Sequence, residues 1–419
     1  MIRRIEALGY RCLRYLSQDL DRFQVLVGPN GSGKSTFLDV VGFLSDLVNH
    51  GPEKAVGFRT EDYHDLVWGR AGERWELALE LEIPAARRAL LDGQAFDRVR
   101  YEAALGLDAA TGALAILAEK VLLKDSRREQ RIHAPVETTL FPVVREQPET
   151  ILTTKVAKNT KTVVNKVPGS NDNFYDETGR GWDHAFKLGP LKSALGNLPD
   201  DESKFPVSTW LKAMLLDGVQ RLTLNSELMR RPSRPGQPRQ FRPDGSNLPW
   251  VVHKLRHDDP VRFHEWVRHV QTALPEVSDI DTEERAEDRS RYLVLRYGRE
   301  LAVPSWAVSD GTLRLLALTL PAYLKNLEGV FLIEEPENGI HPRAVETMLQ
   351  SLSAVYDAQV LLATHSPVIL SMAEPSQILC FSRTESGVVD VVRGNEHPAL
   401  RDWRRETSLG VLFAGGVLG

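Results

Sequence analysis

Cysteine is nearly absent: Cys12 and Cys380 are the two in 419 residues. That is too few for a disulfide framework, and both are read as reduced thiols. No run approaches the roughly 20 apolar residues that span a bilayer. The basic start Met1-Ile2-Arg3-Arg4-Ile5 also lacks the apolar stretch of a signal peptide, so a cytoplasmic protein is expected. Excess positive charge is missing too. Lys and Arg number 52 against 57 Asp and Glu, a formal charge of −5, which excludes a globally basic nucleic-acid binder and leaves only local basic patches. Heptads are absent, and so are internal repeats at periods of roughly 20–50 residues. The length nonetheless suffices for a substantial core in two or three structural units.

What is present begins with Gly28-Pro29-Asn30-Gly31-Ser32-Gly33-Lys34-Ser35, a G-x-x-x-x-G-K-S loop behind the apolar run Phe23–Val27. Its glycines let the backbone fold tightly, so that successive N–H groups and the N-terminus of a helix starting near Lys34 converge on phosphate oxygens. Asn30, Gly31, Ser32, Gly33, Lys34, Ser35 and Thr36 are the expected nucleotide contacts. Lys34 is expected on the β/γ-phosphates and Ser35 on Mg²⁺.

Periodicity organises the rest. Residues 36–48 carry Phe37, Val40, Val41, Leu44 and Leu47 at helical spacing. Trp75, Leu77, Leu79, Leu81 and Ile83 alternate with Glu76, Glu80 and Glu82, the period of a strand with one buried and one wet face. Residues 99–107 and 114–123 repeat the strand signal around Thr111-Gly112, predicting an antiparallel meander. Signals weaken over residues 125–300. Residues 153–173, with Lys155, Lys158, Lys161 and Lys166, read as an exposed hairpin or mobile loop, and residues 206–219 as a short helix with Ser208 as N-cap. Residues 229–245 are rich in Pro and Arg, and Asp259-Pro260 opens a helix with Phe263, Trp266, Val267, Val270 and Leu274 on one face. A hairpin over residues 292–303, turning at Gly298-Arg299, restores order. Residues 410–419, with Val411, Leu412, Phe413, Val417 and Leu418, read as a tail folded onto its own domain, the alternative being a partner's groove.

Three later motifs specify the chemistry. The buried-strand run Val330-Phe331-Leu332-Ile333 ends in Glu334-Glu335. Two carboxylates at such a place are costly unless something positive meets them. Glu334 is suited to hold the metal through water, and Glu335 to orient or deprotonate an attacking water. Val360-Leu361-Leu362-Ala363-Thr364 ends in His365, which can reach the γ-phosphate from a neighbouring strand, although a lone His is more often structural. Ser309-Asp310-Gly311-Thr312 opens a helix predicted over residues 313–327, an anion-binding N-terminus or an ordinary N-cap.

In this order and spacing the motifs resemble the ATP-binding-cassette class of ATPases, in its SMC-like, RecF-like and OLD-like branch with an AAA-type domain. The resemblance rests on residues 28–36, 309–316, 331–342 (FLIEEPENGIHP) and 363–367 (ATHSP). It implies an α/β fold: a P-loop ATPase head with a mixed central sheet, an antiparallel β-subdomain and an inserted, mainly helical middle segment. The expected division is 1–125, 126–289 and 290–419. The resemblance makes Lys34 and Ser35 the Walker A residues and Glu334 and Glu335 the Walker B pair. It makes His365 the switch histidine, and Ser309 and Gly311 part of a signature that meets ATP on the opposite subunit of a homodimer. Residues 337–341 would cross that interface.

Departures narrow the function. The SDGT signature and the lack of an evident glutamine between residues 49 and 68 disfavour a transporter, and the absence of heptads disfavours a strut-like arm. No nuclease domain follows before Gly419, so a nuclease or other effector is expected to be a separate polypeptide. The leading expectation is an ATPase using ATP and Mg²⁺, dimerising around ATP to sense nucleic acid or control that effector, in anti-phage defence or DNA repair. The alternative is an ATP-gated scaffold that holds a partner with little turnover. DNA or RNA contact is assigned to Arg230, Arg231, Arg234, Arg239 and Arg242, with the lysines of residues 155–166 as a second basic stretch.

Overall fold

The computed structural model describes residues 1–91, 93–128, 141–154, 159–179, 183–238, 240–298, 300–400 and 408–416. Its centre follows from the apolar runs. β3 (Phe23–Val27) is buried at all five positions, as a strand covered on both faces must be. It lies within a six-stranded sheet ordered β10 (Val219–Leu222), β14 (Gly329–Glu334), β15 (Ala358–Ala363), β3, β16 (Ile378–Arg383) and β17 (Val389–Arg393). All neighbours are parallel except β16 and β17. Strand alternation sends Leu26, Leu332, Leu361 and Leu379 to one face and Val25, Phe331, Leu362 and Ile378 to the other. The first face packs on the helix Lys34–His50 through Phe37, Val41 and Leu44. The second packs on the helices Pro260–Ala273, Asp310–Thr319 and Pro342–Ser353 through Trp266, Leu316 and Met348.

An eight-stranded antiparallel sheet covers the first core. Its order is β2 (Leu13–Asp19), β1 (Ile2–Tyr10), β4 (Arg74–Glu82), β5 (Arg98–Leu107), β6 (Leu114–Lys124), β7 (Thr160–Lys166), β8 (Asp172–Phe174) and β9 (His184–Phe186). β4, β5 and β6 are the predicted meander. The face of β4 expected to be wet is instead covered. Glu76 and Glu80 are buried, Glu76 accepting hydrogen bonds from Thr150 Oγ1 and Ile151 N, and Glu80 meeting Lys124 at 2.8 Å. Buried carboxylates persist only with such partners.

Residues 126–289 feed all three sheets: β7–β9 extend the meander, β10 edges the central sheet, and β11 (Val277–Glu284) pairs with the predicted hairpin of β12 (Arg291–Tyr297) and β13 (Leu301–Pro304). Three local expectations change. The lysine-bearing segment is ordered strand where described, because Val163 and Val164 enter the core, and Lys166 is buried against Asp172 at 2.8 Å; Lys155 and Lys158 lie outside the described residues. Ser208 sits inside the helix Pro206–Ala213, donating through N and Oγ to the buried Glu177. The helix after Ser309 ends at Thr319, where Pro321 lacks the N–H to continue it. The turn of the β12–β13 hairpin keeps Gly298 at φ 59°, while Arg299 is outside the described residues. The tail helix Leu409–Ala414 packs on the helix Pro367–Met372 so closely that a Cβ on Gly410 would lie 2.2 Å from the Pro367 carbonyl oxygen. Val417 and Leu418 lie outside the described residues.

Candidate nucleotide-binding site

Ligands of open α/β sheets gather beyond the carboxyl ends of the strands. Here β14, β15 and β3 are parallel neighbours with Glu334 opposite Ala363 and Ala363 opposite Leu26. That register alone brings Glu334-Glu335, Thr364-His365 and the phosphate loop, far apart in the chain, to one edge. Glu334, Glu335 and His365 line a cavity of about 520 Å³ together with Asn30, Gly31, Ser32, Gly33, Lys34, Ser35 and Thr36.

The loop is built for an anion. Gly28 has φ 147°, and a Cβ there would lie 2.2 Å from the Phe381 carbonyl oxygen, so only glycine fits. Gly33, at φ 102°, precedes the helix Lys34–His50 without any side-chain cap, and that helix has no acidic residue in its first turn. Its free N–H groups and positive dipole end therefore face the cavity. Ser32 Oγ is buried without a hydrogen-bond partner, an unused polar atom within the same loop. Lys34 is buried and donates to the carbonyls of Gly28 (2.8 Å) and Pro29 (3.0 Å). Burial lowers its pKa to about 8, against the opposing pull of Glu335 and Glu334.

Ser35 Oγ donates to Glu334 Oε2. This hydroxyl and carboxylate are hard oxygen donors, the set that suits Mg²⁺, which takes one or two protein oxygens and leaves its other positions to water and phosphate. Among the described residues no group of three or more His, Cys, Asp or Glu could hold a metal ion on its own. Glu335 adopts φ 47°, a left-handed conformation costing about 1–3 kcal/mol for a side-chain-bearing residue. Its N–H is tied to the Ala363 carbonyl (2.8 Å), and its Oε2 accepts from Asn338 Nδ2 (2.5 Å). The strain turns the carboxylate away from the strand direction and into the cavity that it lines. Glu337 accepts from Thr364 Oγ1 (2.5 Å) and from the His365 N–H (3.3 Å), joining the two strand ends. Burial, then the neighbouring Lys34 charge, lowers the His365 pKa below its ordinary value, which favours the neutral ring as hydrogen-bonding partner.

Ser309 and Gly311 do not line this cavity. Ser309 caps the exposed N-terminus of the helix Asp310–Thr319, its Oγ accepting from Thr312 N at 3.2 Å. Gly311 packs against the turn after Glu335: a Cβ there would lie 2.3 Å from the Gly339 carbonyl oxygen. Its lack of a side chain thus serves close backbone approach.

The predicted basic cluster separates. Arg230 is ion-paired with Asp310 (2.7 Å) and donates to the Val308 carbonyl. Arg231 and Arg234 are exposed, Arg231 lying 3.7 Å from Glu227; Arg242 is half-buried, and Arg239 lies outside the described residues. Sequence reasoning missed Arg11, Arg70 and Arg383, which also line the cavity. Arg11 pairs with Asp39, and Arg70 with Asp62 and Asp65. No local motif marks them, since three separate strand or turn ends deliver them.

A family model described as "AAA domain, putative AbiEii toxin, Type IV TA system" matches residues 23–88 and 160–371. No curated protein matches the chain in sequence. Among solved structures, an SMC head bound to the C-winged helix domain of ScpA is similar at 12% identity and TM-score 0.52, covering 93% of this chain and 97% of that one. An Smc head with an extended coiled coil, bound to the C-terminal domain of ScpA from Pyrococcus furiosus, has 12% identity, TM-score 0.47 and coverages of 93% and 95%. The SMC head domain from Thermotoga maritima has 12% identity, TM-score 0.44 and coverages of 94% and 98%. Among the described residues no helix is long and apolar enough to cross a membrane. Phosphate loop, paired carboxylates and head fold thus meet in one place, and the chain belongs to this AAA-domain family and has the fold of an SMC head.

Proposed function

We propose that the protein hydrolyses ATP with Mg²⁺ in a head-to-head pair of copies and uses that cycle to control a separate effector. One observation carries the reading: the uncapped helix end, Lys34, the Ser35–Glu334 pair and the strained Glu335 surround a single cavity. In that cavity Lys34 would leave its loop carbonyls for the β/γ-phosphates, and Ser35 and Glu334 would hold the metal, which supplies charge neutralisation at the phosphates. Glu335 would take a proton from water, and His365 would steady the terminal phosphate. Ser309 lies on a helix N-terminus outside the cavity. An anion reaching it has to be presented by something else, and a second copy's nucleotide is the ligand that suits it. The family's description names an AbiEii toxin and a Type IV TA system, which supports a separately encoded effector; a role in anti-phage defence accords with that, with DNA repair the other context. Exposed Arg231 and Arg234, with Arg242, are the surface proposed to meet nucleic acid.

Glu335→Gln keeps the shape of the side chain and removes the base. The variant should bind Mg²⁺–ATP, fail to turn it over, and accumulate as an ATP-dependent dimer by light scattering. Wild-type turnover by Glu335→Gln would refute the assignment.

A further inference from the structure

The segment joining β10 to the Ser309 turn touches both halves of the head. At one end, β10 runs parallel to β14 with Arg221 opposite Leu332. This sets the Arg221 guanidinium 3.5 Å from the buried Asp39 and 3.9 Å from Glu334. Asn225 then caps a short helix, Ser226–Arg230, accepting from Glu227 N and Leu228 N. At the other end Arg230 brackets Ser309. Its Nε and Nη2 donate to the Val308 carbonyl at 3.2 and 2.9 Å, and Nη2 meets Asp310 Oδ1 at 2.7 Å. The Arg230 carbonyl in turn accepts from Ser305 Oγ at 2.9 Å. The planar guanidinium reaches the Val308 carbonyl with two nitrogens and the Asp310 carboxylate at once, as a lysine cannot.

Asp310 poses an electrostatic difficulty. A carboxylate in the first turn suits a free helix, but beside a Ser309 N-terminus that must approach a triphosphate it repels the ligand. Arg230 cancels that charge at contact distance while fixing the backbone on the other side of Ser309. Resting on the two-copy reading above, we propose that Arg230 is a positioning residue that holds and neutralises the Ser309 turn for a second copy's nucleotide. Residues 219–231 then form a strap tying this turn to the Glu334 side of the same head.

The test uses full-length chains. Arg230→Gln should bind Mg²⁺–ATP as wild type does, yet lose ATP-dependent dimer and turnover by on the order of 10²-fold, as a misplaced reacting group does. Arg230→Gln combined with Asp310→Asn should recover part of the dimer, because the uncompensated carboxylate is gone. Mixing places the defect. Arg230→Gln with Lys34→Ala should regain activity, since the second chain supplies an intact Ser309 turn, whereas Arg230→Gln with Ser309→Arg should not. If Ser309→Arg and Lys34→Ala chains fail to complement each other, the two-copy reading itself falls. If they do complement, then three results would each overturn the role of Arg230: an unchanged Arg230→Gln dimer, weakened ATP binding by that variant, or no recovery with Asp310→Asn.

Discussion

Replacing Gly311 by alanine isolates the contact between the Ser309 helix and the turn that follows Glu335. Gly311 lies in the first turn of a regular helix, outside the left-handed region, so alanine costs nothing conformationally and by propensity gains about 0.8–1 kcal/mol. The contact decides the sign. The new Cβ would stand 2.3 Å from the Gly339 carbonyl oxygen, whereas ordinary contact begins near 3.4 Å. The obstacle is backbone and cannot rotate aside, so helix or turn must move by roughly 1 Å, and such overpacking costs about 1–3 kcal/mol. The net expectation is a destabilisation of about 1 kcal/mol. The turn also carries Asn338, which holds Glu335, so displacement reaches the proposed base, and turnover should fall by on the order of 10²-fold. Nucleotide affinity of a single head should persist, because Gly311 is not in the cavity. Gly57→Ala is the control, since a Cβ there meets open space. Thermal melting, calorimetric nucleotide titration and steady-state turnover read the three arms. A Gly311→Ala protein that melts and turns over like Gly57→Ala would refute the packing argument.

Lys34, with its pKa lowered to about 8, must be protonated to meet phosphate, so affinity for Mg²⁺–ATP should be flat below neutral pH and fall as pH rises through 8, with proton uptake on binding above it. Between about 8 and its ordinary 10.5 the unfolded chain holds a proton that the folded one lacks, so this group makes stability rise with pH in that window; calorimetry in buffers of different ionisation heat checks the uptake, and a pH-independent affinity would contradict it. Replacing Arg231, Arg234 and Arg242 together by Gln should weaken binding to duplex or single-stranded DNA and reduce its salt slope by up to about 3. An unchanged slope in a fluorescence titration would assign that surface elsewhere.

Several features were legible in the residues alone because they are local. The phosphate loop must have glycine where φ is positive, and the apolar strand before it must be central because both its faces are apolar. The paired carboxylates and His365 were recognisable as strand-end residues by the runs that precede them. Whatever depends on the partner of a side chain was not legible. Glu76 and Glu80 alternate like solvent-facing residues, yet a segment about seventy residues away covers Glu76. Arg230 looks like one of five equivalent arginines until Asp310, eighty residues on, neutralises it. Gly311 reads as a contact for a second copy's nucleotide, and nothing in the residues around it shows that it is also where two backbones touch. Sequence by itself determined which residues could carry phosphate chemistry, since backbone conformation and strand periodicity are set within a few residues. Only the tertiary structure decided which of them share the cavity, because strand order and register between distant segments are chosen by burial of the whole sheet.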